Sequence, residues 1–196
     1  MATDGSGTSP KLPWRRASWA VVVVDAEDGH PVFALMGTVP RMWPQTAVFG
    51  EHVAFMMAND SFRAEPTGST VTIAVDNQSV VDAYADGIAS TIAAARTFSG
   101  VWLEIDKATE RPSFEVVKIK SHLKEEDAVD EAHLIFIRAN LLADRRAAAA
   151  MELHDEITNF APAAIPFSEM RQLAEFAGKA LALFVDTERS ERPPRR

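Results

Sequence analysis

Cysteine is absent from all 196 residues. Disulfide frameworks, cysteine-ligated zinc and thiol nucleophiles are therefore excluded. Long apolar runs are also missing. None is longer than runs such as Trp19 to Val24, far short of the roughly 20 residues that a membrane helix needs. The first residues lack the basic-then-apolar order of a signal peptide. The expectation is a soluble protein inside the cell, nucleus or cytoplasm undetermined, with no membrane partner. A basic excess is lacking too: 20 Lys and Arg stand against 28 Asp and Glu, a net charge of −8. Nucleic-acid binders usually carry a basic footprint. An acidic chain can take that role only if its carboxylates hold cations that receive phosphate oxygens.

What is present is an ordinary globular composition, 47% hydrophobic and 24% charged, enough for one core of good size. Thr8 to Pro13 reads as a turn-rich loop. Arg16 to Asp25 reads as a strand, with valines at 21 to 24, a density that suits coverage on both faces. Asp28-Gly29 signals a hairpin, with Pro31 to Met36 returning antiparallel. Gln45 to Phe62 has helical spacing, with Val48, Phe55, Ala58 and Phe62 on one face. Thr70 to Val75 alternates as a strand, and Asn77 to Tyr84 is helical up to Gly87. Ile88 to Phe98 and Val101 to Ala108 are further helices, Phe114 to Ile119 is a strand, and Val129 to Met151 is the longest helix. An antiparallel pair followed by alternating helices and strands predicts an α/β sandwich on a mixed sheet. Residues 153–187 read as a linker and an amphipathic helix, Phe167 to Val185, with Leu173, Phe176, Ala180 and Phe184 on one face. Residues 188–196 read as a disordered charged tail.

Four acids stand where solvent does not explain them. Glu51 shares the apolar face of its helix. Asp76 ends a buried strand, Asp144 borders the stripe of Leu134, Ile137, Leu141 and Ala148, and Asp4 lies in Thr-Asp-Gly-Ser-Gly. A carboxylate facing a core is costly unless paired or metal-bound. Each has a plainer reading: a turn for Asp4, a helix N-cap for Asp76-Asn77, a satisfied structural acid for the others. Four on separate elements point instead to hard divalent cations, which take oxygen ligands and relieve like-charge repulsion.

In order and spacing, these motifs resemble the type I ribonuclease H family over residues 3–150. Thr3 to Gly7 is similar to its first-strand motif, and Phe49-Gly50-Glu51-His52-Val53-Ala54 to the glutamate opening its first helix. Val75-Asp76-Asn77-Gln78-Ser79-Val80-Val81 resembles the aspartate ending its fourth strand. Val117 to His122 resembles its fifth strand and histidine loop, and Asn140-Leu141-Leu142-Ala143-Asp144 its last catalytic helix. The resemblance implies a ribonuclease H-like fold, a five-stranded mixed sheet flanked by helices, over residues 1–152, with the C-terminal helical extension beyond it. It implies an endonuclease that hydrolyses the RNA strand of RNA–DNA hybrids with two Mg²⁺ ions, Mn²⁺ being a substitute. By motif, Asp4 would bridge both ions, Asp144 would complete one site, and Glu51 with Asp76 the other. His122 would assist proton transfer or product release; a solvated loop histidine is the plainer reading. The remaining histidines, His30, His52, His133 and His154, show no ligand spacing.

Sparing DNA requires sensing a 2′-hydroxyl, and Ser6, Asn77 and Gln78 are the candidate substrate-binding groups. Lys118, Lys120 and Lys124 are candidates to face phosphates. In the family the first aspartate sits well inside a central strand. Here only Met1 to Thr3 precede it, so half that strand is expected to be missing. Retroelement polyproteins carry such domains, which makes a larger polypeptide an expected context. The competing readings are a catalytically inactive ribonuclease H-like tether and another nuclease or integrase of the superfamily. The joint presence of four acids favours an enzyme.

Overall fold

The computed structural model describes residues 1–8, 15–62, 70–93, 96–107 and 113–154. The chain divides into two units, Met1–Ile157 and Thr158–Arg196, and every described residue belongs to the first. Most of the expected Thr8–Pro13 loop, the Phe167–Val185 helix and the 188–196 tail lie outside the described residues.

Five strands form one mixed sheet in the order β3-β2-β1-β4-β5. They are β1 (Ala2–Gly7), β2 (Ala17–Val24), β3 (Pro31–Thr38), β4 (Thr70–Val75) and β5 (Ser113–Lys118). β1 to β3 pair antiparallel, while β1–β4 and β4–β5 pair parallel. Among the described residues, five α-helices accompany them: α1 (Ala47–Ser61), α2 (Gln78–Asp86), α3 (Ile88–Thr91), α4 (Ser99–Asp106) and α5 (Glu131–Ala150). Among the described residues, no helix is long and apolar enough to cross a membrane.

Alternation along β1 splits the interior in two. Met1 joins the core shared with α1 and α4, where Val53, Phe55, Ile73, Val75 and Trp102 are buried. Ala2 joins the core under α5, with Val22, Ala74, Ile119, Ala139 and Ala143. β1 and β4 thus carry apolar side chains on both faces, as a central parallel pair must. Helix α1 lies against β1 and β2, and so does α5 from the opposite side.

Several expectations need correction. The strand holding Asp4 is a six-residue strand, with Asp4 third in it. The expectation counted only residues before Asp4, whereas Asp4 to Gly7 continue the pairing with β2. Met1 also bonds β4, its carbonyl accepting from Ala74 N at 2.8 Å. Val48 is exposed, because α1 turns Phe49, Gly50, Val53 and Ala54 toward the sheet instead. The Ile88–Phe98 helix shrinks to the single turn of α3. On α5 the inward face is Ile137, Ala139, Asn140, Ala143, Ala147 and Ala150, while Ala148 faces solvent.

Candidate metal centre

The site begins with a register. Thr3 pairs with Val75 across the parallel β1–β4 ladder. The next residues, Asp4 and Asp76, therefore emerge side by side where β4 ends. Both alternate onto the α5 side of the sheet, in phase with Ala2 and Ala74. Placement at the carboxyl ends of parallel strands is where open α/β sheets keep their ligand crevices.

Glu51 reaches these aspartates from the other layer, and glycines make that possible. A Cβ on Gly5 would run into the backbone of Glu51 and Gly50 and lie 2.6 Å from the Ala47 carbonyl oxygen. A Cβ on Gly50 would collide with the Ser18 carbonyl and lie 3.1 Å from Gly5 Cα. Helix and strand therefore touch backbone to backbone, which only residues without side chains allow. Thr46 caps α1, its hydroxyl accepting from Phe49 N at 3.1 Å, and so fixes where the helix starts above β1.

One carboxylate oxygen from each of Asp4, Glu51 and Asp76 lies within 4.8 Å of the other two. Asp4 and Glu51 are each 6% exposed, and Asp76 is half-buried. Among the described residues, no lysine or arginine pairs with these carboxylates. Burial raises the Asp4 carboxyl to about 7, and the charges of Asp76 and Asp144 push the same way. Burial, then Asp4 and Asp76, raise Glu51 well above the usual carboxylate range. With a third acid beside them and no basic partner among the described residues, ionisation of either Asp4 or Glu51 disfavours ionisation of the other. Glu51 Oε2 is buried with no hydrogen-bond partner. An orphaned carboxylate oxygen beside two further acids, all hard oxygen donors, fits a divalent cation.

The other expected site residues fall around this trio. Asp144 is exposed on α5 and is not part of the close group, although its charge acts on Asp4. Of the expected stripe only Ile137 is buried on the inward face of α5, and Asp144 stays exposed. Asn140, one turn earlier, is buried and donates from Nδ2 to Asp76 Oδ2 at 3.5 Å. His122 is exposed in the loop after β5 and has a left-handed backbone, φ 58°. Ser6 lies on the α5 side of β1 opposite Ser18. Gln78 is turned along α2, donating to Asp82 Oδ1 at 2.8 Å. Lys118 sits close by, but its ammonium bonds the Asp76 carbonyl at 2.9 Å and the Ile119 carbonyl at 2.5 Å. It clamps the loop carrying Asp76.

His52 shows no ligand spacing in the sequence, yet it is fully buried on the far side of this loop. Trp102 Nε1 donates to His52 Nδ1 at 3.0 Å, and His52 Nε2 lies 3.0 Å from Ser79 Oγ. Ser79 Oγ donates to Asn77 Oδ1 at 2.6 Å. Phe98 stacks on the imidazole, with ring centroids 3.8 Å apart. Burial lowers the imidazolium to about 4, so the ring is neutral. The signal in the sequence was continuity: α1 is buried on nearly every side from Phe49 to Met56, and a polar residue in such a helix needs partners.

Neither a protein-family model nor a curated protein sequence matches the chain. Solved structures do match. LC11-RNase H1, in complex with an RNA/DNA hybrid, is similar over 78% of this chain and 96% of its own, with TM-score 0.53 and 18% identity. The prototype foamy virus protease-reverse transcriptase is similar over 76% of this chain, with TM-score 0.60 and 17% identity. A foamy viral protease-reverse transcriptase in complex with an RNA/DNA hybrid gives TM-score 0.55 at 14% identity. The chain spans about a fifth of the foamy virus protein, 20% and 19% in the two structures. The fold is that of ribonuclease H.

Proposed function

We propose that this chain is a ribonuclease H of type I, a divalent-metal-dependent endonuclease that hydrolyses the RNA strand of RNA–DNA hybrids. The observation that carries the reading is the convergence of Asp4, Glu51 and Asp76 at the carboxyl ends of β1 and β4. That convergence occurs in a fold shared with LC11-RNase H1, which was solved on an RNA/DNA hybrid. In this reading residues 1–152 are the nuclease unit. Residues 153–187 are a linker and helical extension, and 188–196 a tail. The likeness to a foamy virus reverse transcriptase supports a retroelement polyprotein as the larger context.

Asp4, Glu51 and Asp76 would hold one Mg²⁺ or Mn²⁺, and Asp4 with Asp144 a second. Bound there, the cations supply Lewis-acid stabilisation of charge developing on the phosphodiester oxygens. The protein supplies the rest. Gly5 and Gly50 let Glu51 approach Asp4. Lys118 and Asn140 hold Asp76 by its carbonyl and its carboxylate. Asp144 and His122 stand exposed at the rim, where Asp144 would complete a second cation site and His122 would assist proton transfer or product release. Ser6, Asn77 and Gln78 lie around the acids as candidate contacts to the RNA strand.

Labelled RNA–DNA, RNA–RNA and DNA–DNA duplexes, each with Mg²⁺ and with chelator, test the proposal. Cleavage confined to the RNA of the hybrid, and only with Mg²⁺, is expected. No cleavage of any duplex would favour the inactive tether instead, and cleavage of DNA–DNA would favour a different nuclease of the superfamily.

A further inference from the structure

A line of polar groups runs from the α1–α4 core to the residue after Asp76, and every hydrogen bond in it has a fixed direction. Trp102 Nε1 can only donate. His52 Nδ1, 3.0 Å away, must therefore accept. The neutral ring then carries its proton on Nε2 and donates to Ser79 Oγ at 3.0 Å. With its lone pairs so engaged, the Ser79 hydroxyl gives its proton to Asn77 Oδ1 at 2.6 Å. The same Oδ1 accepts from Ser79 N at 3.0 Å, which is the N-cap of α2. Two donors thus fix the oxygen of the Asn77 carboxamide, and the Nδ2 amide is left facing away from the relay. Helix capping needs only the backbone donor. The hydroxyl, the imidazole and the indole are a further investment of buried polar groups, held by a ring stacked on Phe98.

We infer that His52 is a positioning residue for substrate recognition: through Ser79 it orients the Asn77 carboxamide so that Nδ2 donates to the 2′-hydroxyl of the strand bound at Asp76. The inference rests on the proposed hybrid-cleaving function. Its physical basis is that a fixed donor separates ribose from deoxyribose better than a rotating one. A carboxamide free to flip presents its acceptor half of the time and loses orientation on binding. Asn77 adjoins Asp76 in sequence, so a donor held there lies beside the phosphodiester that the acids address.

Four single variants at three positions, and one double variant, test it in the full chain. Ser79→Ala removes the hydroxyl but keeps the backbone cap. Asn77→Ser keeps a capping oxygen and removes the amide. His52→Gln offers both an acceptor for Trp102 and a donor for Ser79, whereas His52→Leu offers neither. Steady-state cleavage of a hybrid with Mg²⁺ should show KM raised about fivefold to tenfold in Ser79→Ala and Asn77→Ser, as expected for losing one oriented hydrogen bond, with kcat changed less than about twofold. The double variant should be no worse than Asn77→Ser alone. His52→Gln should stay within about twofold of wild-type KM, and His52→Leu should match Ser79→Ala in KM once melting shows it folded. Hybrid binding measured in Ca²⁺ should lose its preference over duplex DNA in the same variants. Additive losses in the double variant, or a loss confined to kcat, would overturn the inference while leaving hybrid cleavage intact. Wild-type protein that neither binds nor cuts hybrid would overturn the functional reading, and this inference with it.

Discussion

The three clustered acids and the two residues proposed to stand at their rim, Asp144 and His122, are held in opposite ways. Asp4, Glu51 and Asp76 are fixed by backbone: a parallel register, a helix pressed onto a strand through Gly5 and Gly50, and a lysine clamp on the Asp76 carbonyl. Asp144 and His122 are exposed, one on the solvent side of α5 and one on a loop in a left-handed conformation. The buried part is preorganised and stores repulsion, while the rim faces solvent. Preorganisation suits groups that must present charge at fixed points, and an exposed rim suits groups that meet substrate.

The comparison breaks most completely at Gly5. Gly5→Ala forces a methyl into the backbone of α1, and overpacking against backbone cannot be relieved by a rotamer change. A loss of about 3 kcal/mol is expected, on the order of 10 °C in melting temperature for a domain of this size. An Ala variant that melts with the wild type would show that α1 does not press on β1.

Next come the acids themselves. Asp76→Asn should lower hybrid cleavage by about 10²–10³-fold, as expected for removing one fixed charge from a preorganised site. Asp144→Asn should lower it by about tenfold to a hundredfold, closer to a supporting ligand. Asp4→Asn should leave cleavage as low as Asp76→Asn yet raise the melting temperature of the metal-free protein, because it removes a buried charge and its repulsion. Cleavage rates and melting curves on the same preparations decide between these outcomes.

Acidity separates the two regions in a third way. Asp4 titrates at about 7 in the folded chain against 3.8 when unperturbed, and Glu51 is also raised. Between those values the native state binds more protons than the unfolded state, so stability falls as pH rises. The metal-free protein should be most stable below about pH 4 with respect to these two groups and lose that contribution through about pH 7. Mg²⁺ should flatten the decline, and Asp4→Asn should flatten it without metal. Asp144→Asn should lessen it only slightly. A melting temperature independent of pH from 5 to 8 in chelator would remove the buried pair from the account.

The smallest effect belongs to the rim. His122 holds φ 58°, a conformation that costs a side-chain-bearing residue about 1 kcal/mol relative to glycine. His122→Gly should therefore melt slightly above wild type while cleaving more slowly, a strain retained for function. Lower stability in the glycine variant would contradict that reading.

Much of this was legible in the sequence because it rests on local pattern. The valines of β2, the alternation of β4 and the cap-and-stop residues Asn77 and Gly87 of α2 each mark their element without tertiary help. The order of strands and helices then implies the sheet. Glu51 and Asp76 stood out because a carboxylate among apolar neighbours is conspicuous. What the sequence concealed depends on contact between distant residues. The extent of β1 is set by its pairing with β2, which residues near Asp4 do not reveal. Asp144 was placed beside an apolar stripe, but the alanines of α5 gave no clear inward face, and Ala143, Ala147 and Ala150 rather than Ala148 pack on the sheet. His52 was invisible as a functional group because its partners, Ser79 and Trp102, lie 27 and 50 residues away. The close approach of Gly5 and Gly50 shows only where the two backbones meet.

The central claim is that the buried acids form a divalent cation site. Melting of the wild-type chain at pH 8 in millimolar Mg²⁺, against chelator at matched ionic strength, tests it most directly, since a ligand bound only by the native state raises stability. The account predicts a clear rise of several degrees, reproduced by Mn²⁺ and much reduced in Asp76→Asn. A melting temperature unchanged by either ion, or raised equally in Asp76→Asn, would contradict it.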